Sequence, residues 1–486
     1  MIRTNHSRRG GILMVSLAYV LAVSVAGLIL LSLSYMHQVS LEHNARAVRL
    51  MAAAEAAIES KRGRFTLIPG VQDDWSVLLP TSGWNNIDGP FTLNQCQVQV
   101  QAQPIGGPSV PAARIRAIAT QGTTNRVVEY NIRVANFSEF ALYFGGPNVV
   151  GIGPNFKMWG NFYSEGDISL GWNPGIEFFL DVTTTGEIKN APDMTYNFKK
   201  TPTEHSPQIV IPPAAYGMDI LKAVAATRNT LFYKNTLSIQ FSETNFIRTY
   251  WYRKSGVATS GPPTDYEIRT ETRDIPDEGT IYIDQGEPPA GVDCWSGAAE
   301  CNNFDNPLEL ELTGTIFDRR VTLACEYKIA VKSNIAYRSL LNNPELRRFA
   351  NKESAAATSY KEMLGVISAT DIDFQTTVWS PLPAAQMVTN SGSDVGHLGN
   401  QYCLDGVFMG VESARRFNYE PPTNRELWTC GGIINGNNPS TQFGNIFERR
   451  NYDWDARLFY TTPPYFLRAY NISAVQVRGT WRSYEL

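Results

Sequence analysis

Apolar residues run from Ile12 to Ser34, broken only by Ser16, Ser24, Gly27 and Ser32, and no Lys, Arg, Asp or Glu occurs between Gly10 and Leu41. As an α-helix this run is roughly 35 Å long, enough to cross a ~30 Å hydrocarbon layer. Arg3, Arg8 and Arg9 precede it, which keeps the short leader in the cytoplasm and puts the chain beyond Ser34 outside. Arg46 and Arg49, on the far side, weaken that bias without reversing it. A cleaved secretory signal is the rival reading, because Ser24-Val25-Ala26 supplies the small residues of a cleavage site. The run continues to Leu33, however, past the ~7–15 residues of a signal core, and this favours a retained segment.

From Leu41 to Ser60 the chain is rich in helix formers and contains neither Gly nor Pro. Leu41, Ala45, Val48, Ala52, Ala56 and Glu59 recur at helical spacing and predict one stripe that prolongs the helix beyond the membrane. Gly63 is the expected stop, after Lys61 and Arg62, which suit the negative end of the helix dipole.

The period then falls towards two. Gln97–Ala102, Ala113–Ala119 and Arg126–Val134 read as strands, separated by the turn signals Gly106-Gly107-Pro108 and Gly122–Asn125. Beyond Phe137, strand-like pieces of four to seven residues recur between Gly, Asn and Asp, for instance Thr280–Asp284, Val321–Ala324, Lys328–Val331 and Gly406–Gly410. Their spacing looks irregular, so no repeat length is expected. Pieces too short to bury a face alone point to stacked rungs of a β-solenoid, with a β-sandwich as the alternative. Residues 213–227 and Leu340–Leu364 read as helical excursions, and 254–278 as an exposed loop.

The fold class is therefore α+β, mainly β. A long N-terminal helix and a small antiparallel sheet precede a β-solenoid-like domain. The expected divisions are a leader at 1–10, an apolar helix at 11–64, a small sheet at 65–140 and a strand-rich ectodomain at 141–486. Composition agrees: of 486 residues, 43% are hydrophobic and 18% charged, with a formal charge of -4, which excludes a disordered chain and a globally basic nucleic-acid-coating protein.

Arg8-Arg9-Gly10-Gly11-Ile12-Leu13-Met14-Val15, followed by the uncharged run and Ala53-Ala54-Glu55-Ala56-Ala57-Ile58, resembles the amino terminus of PilX-type and GspK-type minor pilins. The resemblance implies cleavage by a prepilin peptidase between Gly10 and Gly11, methylation of the new terminus, and helix-mediated packing with other major and minor pilins. Pilins of this kind usually carry glutamate at the fifth mature position, where this chain has Val15. That carboxylate would neutralise a neighbour's terminal amine in lipid, so its absence suits a tip subunit with no neighbour above. Phe137–Phe144, Tyr163–Ile168, Gly314–Leu323, Tyr452–Leu458 and Pro463–Phe466 are similar to the solenoid domain fused to such termini, the ComZ-like architecture. These are structural signatures and carry no binding residues across.

Chemistry is sparse. The five histidines, His6, His37, His43, His205 and His397, include no helical i, i+4 zinc pair, and there is no Gly-rich phosphate loop. No enzyme and no cofactor are expected. The carboxylate pairs Asp371/Asp373 and Asp453/Asp455 leave room for calcium, or for a β-helix enzyme acting on polysaccharide, against the plainer reading of a solvated face. Six cysteines outside the membrane allow 15 disulfide connectivities, with Cys294–Cys301 and Cys403–Cys430 as candidates; no Cys-x2-Cys offers a zinc site. Arg415-Arg416 (near Phe417 and Tyr419) and Arg449-Arg450 (near Tyr452 and Trp454) are candidate ligand-binding groups, because nucleic acid needs bases and aromatics on one face; interleaved acids make salt-laced surfaces the alternative. The expectation is a minor, tip-located type IV pilin-like protein. It would sit in the inner membrane as a single-pass protein and then in a pilus or pseudopilus, presenting a domain to DNA, a glycan or a surface. A plain membrane-tethered structural protein is the remaining alternative.

Overall fold

The computed structural model describes residues 7–66, 75, 77–105, 112–153, 156–171, 175–190, 197–209, 211, 214–253, 266–286, 309–347, 360–389, 399–414, 425–436, 447–459, 461–469, 475–476 and 480–485. A single helix, α1 (Ser7–Arg62), opens the chain and closes in a short 3-10 turn over Gly63–Phe65. From Met14 to Leu41 its side chains are almost all exposed. From Leu50 onwards one face is covered: Leu50, Ala53, Ala54, Ala57 and Ile58 are fully buried.

This buried face is one row over from the expected stripe. Val48 is 61% exposed and Ala52 and Ala56 are also exposed, while Ala53, Ala54 and Ala57 face the sheet. The physical reason is that both rows, 41/45/48/52/56/59 and 50/53/54/57/58, have helical spacing, so periodicity alone does not choose between them and the position of the sheet does. Glu59, assigned to the stripe, instead accepts a hydrogen bond from the Tyr130 hydroxyl at 2.7 Å. Burial and that carboxylate both push the Tyr130 hydroxyl well above its ordinary range.

The sheet under α1 is an antiparallel meander of β1 (Asn85–Leu93), β2 (Cys96–Pro104), β3 (Ala112–Gln121) and β4 (Thr124–Arg133). In β3, Ala113, Ile115, Ala117 and Ala119 alternate inward against the helix. The expected strands at 97–102, 113–119 and 126–134 fall on β2, β3 and β4, while β1 has no counterpart among them. Its pairing with β2 shifts register twice, between Asn86 and Asp88 and between Asp88 and Phe91, and those shifts break the two-residue alternation that marks a strand in sequence. A second surprise comes from the other end of the chain. Val475–Gln476 and Arg482–Tyr484 both pair antiparallel with β4, so the small sheet draws on both ends and a boundary at residue 140 leaves these strands out.

Among the described residues beyond β4, strand pairing is mostly parallel, apart from an antiparallel hairpin between residues 236 and 274. Leu231–Tyr233, Gly279–Asp284, Arg320–Cys325, Met363–Ser368, Asn400–Gly410, Arg425–Asn435, Phe140–Phe144, Asn161–Ser164 and Val182–Thr184 follow one another in one parallel stack. Phe140–Phe144 therefore enters the stack in its interior, with Asn161–Ser164 on one side and Arg425–Asn435 on the other. The chain builds outward to residue 203, crosses to the opposite end through α2 (Ala214–Thr227), and returns rung by rung. Tyr163 and Tyr143 hold the crossing segment, the first accepting from the Ile209 amide at 2.9 Å and the second donating to the Ile209 carbonyl at 3.0 Å. At the far end Thr280 donates to the Leu221 carbonyl of α2 at 2.9 Å.

Contrary to the expected irregularity, the first rungs have a repeat. Leu142, Phe162 and Val182 stack at twenty-residue steps, as do Tyr143, Tyr163 and Thr183, and Met158, Phe178 and Phe198. Tyr143 and Tyr163 lie ring on ring at 4.7 Å, and Phe178 and Phe198 at 5.1 Å. Long strands elsewhere turn the corner between faces at glycine: Gly406 and Gly431 are register partners with φ of +133° and +148°. A Cβ on Gly431 would lie 1.9 Å from the Gly406 carbonyl oxygen.

Two further expectations change. The presumed 254–278 loop contains the strand Tyr266–Asp274, third in an antiparallel hairpin with Thr236–Glu243 and Asn245–Arg253. Of the expected helical stretch 340–364, the described residues form a short helix, Arg338–Asn342, a 3-10 turn, Pro344–Arg347, and the start of the strand Met363–Ser368; residues 348–359 lie outside the described residues.

Candidate functional site

The feature with the clearest chemical consequence is the first half of α1. Leu17, Leu21, Leu28 and Leu30 are each more than 60% exposed, and the Met14–Phe65 segment is long and apolar enough to cross a membrane. Burying each leucine side chain in hydrocarbon or against another helix stabilises by about 1.5–3 kcal/mol, so water is a poor solvent for this rod. Gly10 and Gly11 lie near the start of α1, ahead of this exposed apolar surface. The lower half of α1 is fixed to the body by the buried alanine face and by the Lys61–Asp88 ion pair at 2.5 Å. The Lys61 bond holds the Asp88 carboxyl below its ordinary value.

The basic and aromatic candidates separate when placed in the fold. Arg415 and Arg416 lie outside the described residues, as do Cys294 and Cys301. Arg449 and Arg450 start the strand Arg449–Asp453, which is stacked on Arg425–Asn435. Tyr452 and Trp454 are core residues, 1% and 0% exposed. Tyr452 packs on Phe156 at 5.2 Å, and Trp454 donates its indole N–H to the Ser138 carbonyl at 2.8 Å. The expected ligand face at 449–454 is thus corrected, because its two rings point inward and Arg450 is itself only 5% exposed, beside Phe156.

The carboxylate pairs behave similarly. Asp373 is buried against Lys328, whose ammonium lies 2.9 Å from it and 2.8 Å from Glu309, while Asp371 is the partly buried first residue of the strand Asp371–Phe374. Burial would lower the Lys328 pKa, but the two carboxylates outweigh it and raise it. Asp455 is buried in a fork–fork contact with Arg457, whose Nε donates to Oδ1 and Nη2 to Oδ2. Among the described residues no group of three or more His, Cys, Asp or Glu is arranged to hold a metal ion.

Cys403 and Cys430 are separate buried thiols, not a disulfide. In the parallel ladder Cys403 faces Trp428 and Cys430 faces Asp405, so the two are offset by two residues along neighbouring strands, beyond the usual ~4.4–6.8 Å Cα spacing of a bridge. Burial pushes the Cys403 thiol up to about 12, far from a reactive range. Around them lies a buried ionic core that the sequence did not signal. Arg347 and Asp405, both 0% exposed, form an ion pair at 2.5 Å, and the Asp405 carboxylate also accepts from the Tyr337 amide at 2.9 Å.

Sequence reading also missed the hairpin that extends from the stack through the parallel pairing of Thr236–Glu243 with Glu309–Ile316. There Arg248 lies between Phe232 and Tyr250, 4.4 and 4.2 Å from their ring centres, and Arg269 covers Tyr252 at 3.4 Å. Glu271 bonds Arg248 at 3.0 Å and Arg273 at 2.9 Å. The alternation of Glu and Arg from 267 to 273 was the available signal.

No family model matches the chain, and no curated protein does. Among solved structures it is similar to the crystal structure of the competence-associated pilin ComZ from Thermus thermophilus, at 9% identity and a TM-score of 0.27, over 90% of this chain and 98% of that one. At that score and identity the likeness carries nothing across about this chain's function. What the chain has by its own structure is a long N-terminal helix followed by a large, mostly β body.

Proposed function

We propose that this chain is a minor type IV pilin-like subunit: α1 anchors it in the inner membrane, packs with other pilins on assembly, and holds the stacked-strand body outside. The observation that carries the reading is the division of α1 into an exposed apolar half and a half fixed to a small antiparallel sheet. A single rigid helix shared between membrane and body gives assembly machinery a handle whose movement the body must follow. Prepilin peptidase would act between Gly10 and Gly11, and Val15 in place of the usual glutamate favours a tip position. The body would present its surface to DNA, a glycan or another surface, through residues other than the buried Tyr452 and Trp454.

Amino-terminal sequencing of the membrane-extracted protein tests this reading. A mature start at Gly11 supports it. A start at Met1 overturns the pilin reading and leaves a membrane-tethered β protein.

A further inference from the structure

We infer that the outer edge of the Tyr266–Asp274 strand pairs with the same strand of a second copy of this chain, antiparallel and about a two-fold axis through Thr270. The inner edge of this strand is paired with Asn245–Arg253 at all nine positions without a register shift, and among the described residues no strand pairs with its outer edge. Which groups face outward is set by the ladder. The Ile275 amide donates inward to the Thr244 carbonyl at 2.8 Å, so odd-numbered residues of the strand bond inward and the backbone groups of Ile268, Thr270 and Thr272 turn outward.

Edge strands are commonly guarded by a proline, a bulge or charged side chains, lysines above all. This strand has no proline, no lysine and no register shift, and its charges are not of one sign. Its charges alternate in sign, Glu267, Arg269, Glu271, Arg273, with Thr270 at their midpoint. Antiparallel pairing about Thr270 puts each Arg269 opposite the second copy's Glu271 and each Glu267 opposite its Arg273. It also makes Thr270–Thr270 and Ile268–Thr272 the hydrogen-bonded pairs, as the outward-turned groups require. Moving the axis by one residue, to Arg269 or Glu271, sets like charges opposite each other. Moving it by two shortens the overlap.

The charged row is held in position before any pairing, by the stack of Arg269 on Tyr252 and by the bonds of Glu271 to Arg248 and Arg273. On the opposite face Ile268, 55% exposed, would come beside the second copy's Thr272. The product is a sheet that runs through the hairpins of both copies, each hairpin already joined to its own stack by the parallel pairing of Thr236–Glu243 with Glu309–Ile316. It depends on neither the membrane helix nor the pilin reading, so the two can fail separately.

The test uses the full-length chain in detergent-extracted membranes. Thr270→Cys puts two thiols about 5.5 Å apart between Cα atoms across the pair, within disulfide range. Mild oxidation should give a dimer that the wild-type chain does not give, and Ile268→Cys, opposite Thr272, should give far less. Glu267→Arg in the Thr270→Cys background should cut the dimer roughly tenfold, since symmetry sets two like-charge pairs in place, and adding Arg273→Glu should restore it. Two differently tagged wild-type chains should also co-purify, which covers the case of a poorly folding variant. A Thr270→Cys chain that labels with maleimide yet stays monomeric on oxidation overturns the inference, and so does cross-linking of Thr270→Cys only to other proteins.

Discussion

Replacing Arg347 by methionine removes one half of an ion pair whose members are both 0% exposed. Asp405 then stays in the core with its bond from the Tyr337 amide but without the Arg347 charge. Breaking a buried pair from one side costs about 3–5 kcal/mol. At an unfolding entropy of ~2.1 cal/mol/K per residue, a body of about 330 residues melting as one unit would lose about 4–7 °C in Tm. The pH dependence carries the sharper signature. In the wild type Asp405 holds the buried Arg347 charged, although burial alone would weaken its proton. In Arg347→Met the buried Asp405 carboxylate loses the guanidinium that favoured its charged form, and burial then drives it to take up a proton, so its folded pKa rises above the unfolded value. Extra proton uptake by the folded state means that stability falls as pH rises. The deficit of the variant against wild type should therefore be largest at about pH 7 and shrink towards pH 5. Thermal melts of the purified full-length chain, followed by circular dichroism at both pH values, read this directly. A variant melting within about 1 °C of wild type at pH 7, or one whose deficit grows on acidification, would refute the reasoning.

Three further outcomes are expected. Ala57→Leu overfills the contact between α1 and its sheet and should cost about 1–3 kcal/mol, whereas Ala56→Leu, on the exposed side, should be nearly neutral; equal effects in urea titrations would return the buried face to the row that periodicity alone predicts. Gly431→Ala has no room for its Cβ and a φ of +148°, so it should destabilise by at least about 2 kcal/mol and expose the Asn400–Gly410 and Arg425–Asn435 strands to hydrogen exchange; unchanged protection there would show that the corner tolerates a side chain. Asp284, at the end of its strand, is pushed up by burial, but Lys222 of α2, 2.6 Å away, together with the Gly286 amide and Glu326, more than offsets this and leaves its pKa lowered. Its contribution is present above the ordinary carboxylate value and lost as pH falls through the lowered one, so α2 should lose protection below about pH 4. Lys222→Met should flatten that dependence, and an equally steep one in the variant would assign it to another group.

How much of the molecule was legible depends on the kind of signal each feature leaves. The apolar half of α1 could be read because charge is absent over a long run, and β2 and β3 because one face alternates cleanly. The docking face was misplaced because two neighbouring rows of the helix both recur at helical spacing, and only the sheet selects Leu50, Ala53, Ala54, Ala57 and Ile58. The twenty-residue repeat was hidden because stacked positions share a direction, not an identity: Phe144, Ser164 and Thr184 occupy one column. Tyr452 and Trp454 looked like surface groups because arginines and aspartates precede and follow them. In the fold those charges pair among themselves at the core, as Asp455 does with Arg457. No local pattern announces a pair such as Arg347 and Asp405, or the return of residues 482–484 to β4, because each joins distant parts of the chain.

The central claim is that α1 is the part by which the chain enters a filament. Shearing surface filaments from cells and probing them for this chain, in wild type and in a Gly10→Val variant that blocks processing, measures that most directly. The prediction is wild-type protein in the sheared filament fraction, and the variant retained entirely in the membrane. Equal amounts of both in the filaments, or neither chain ever leaving the membrane, would contradict it.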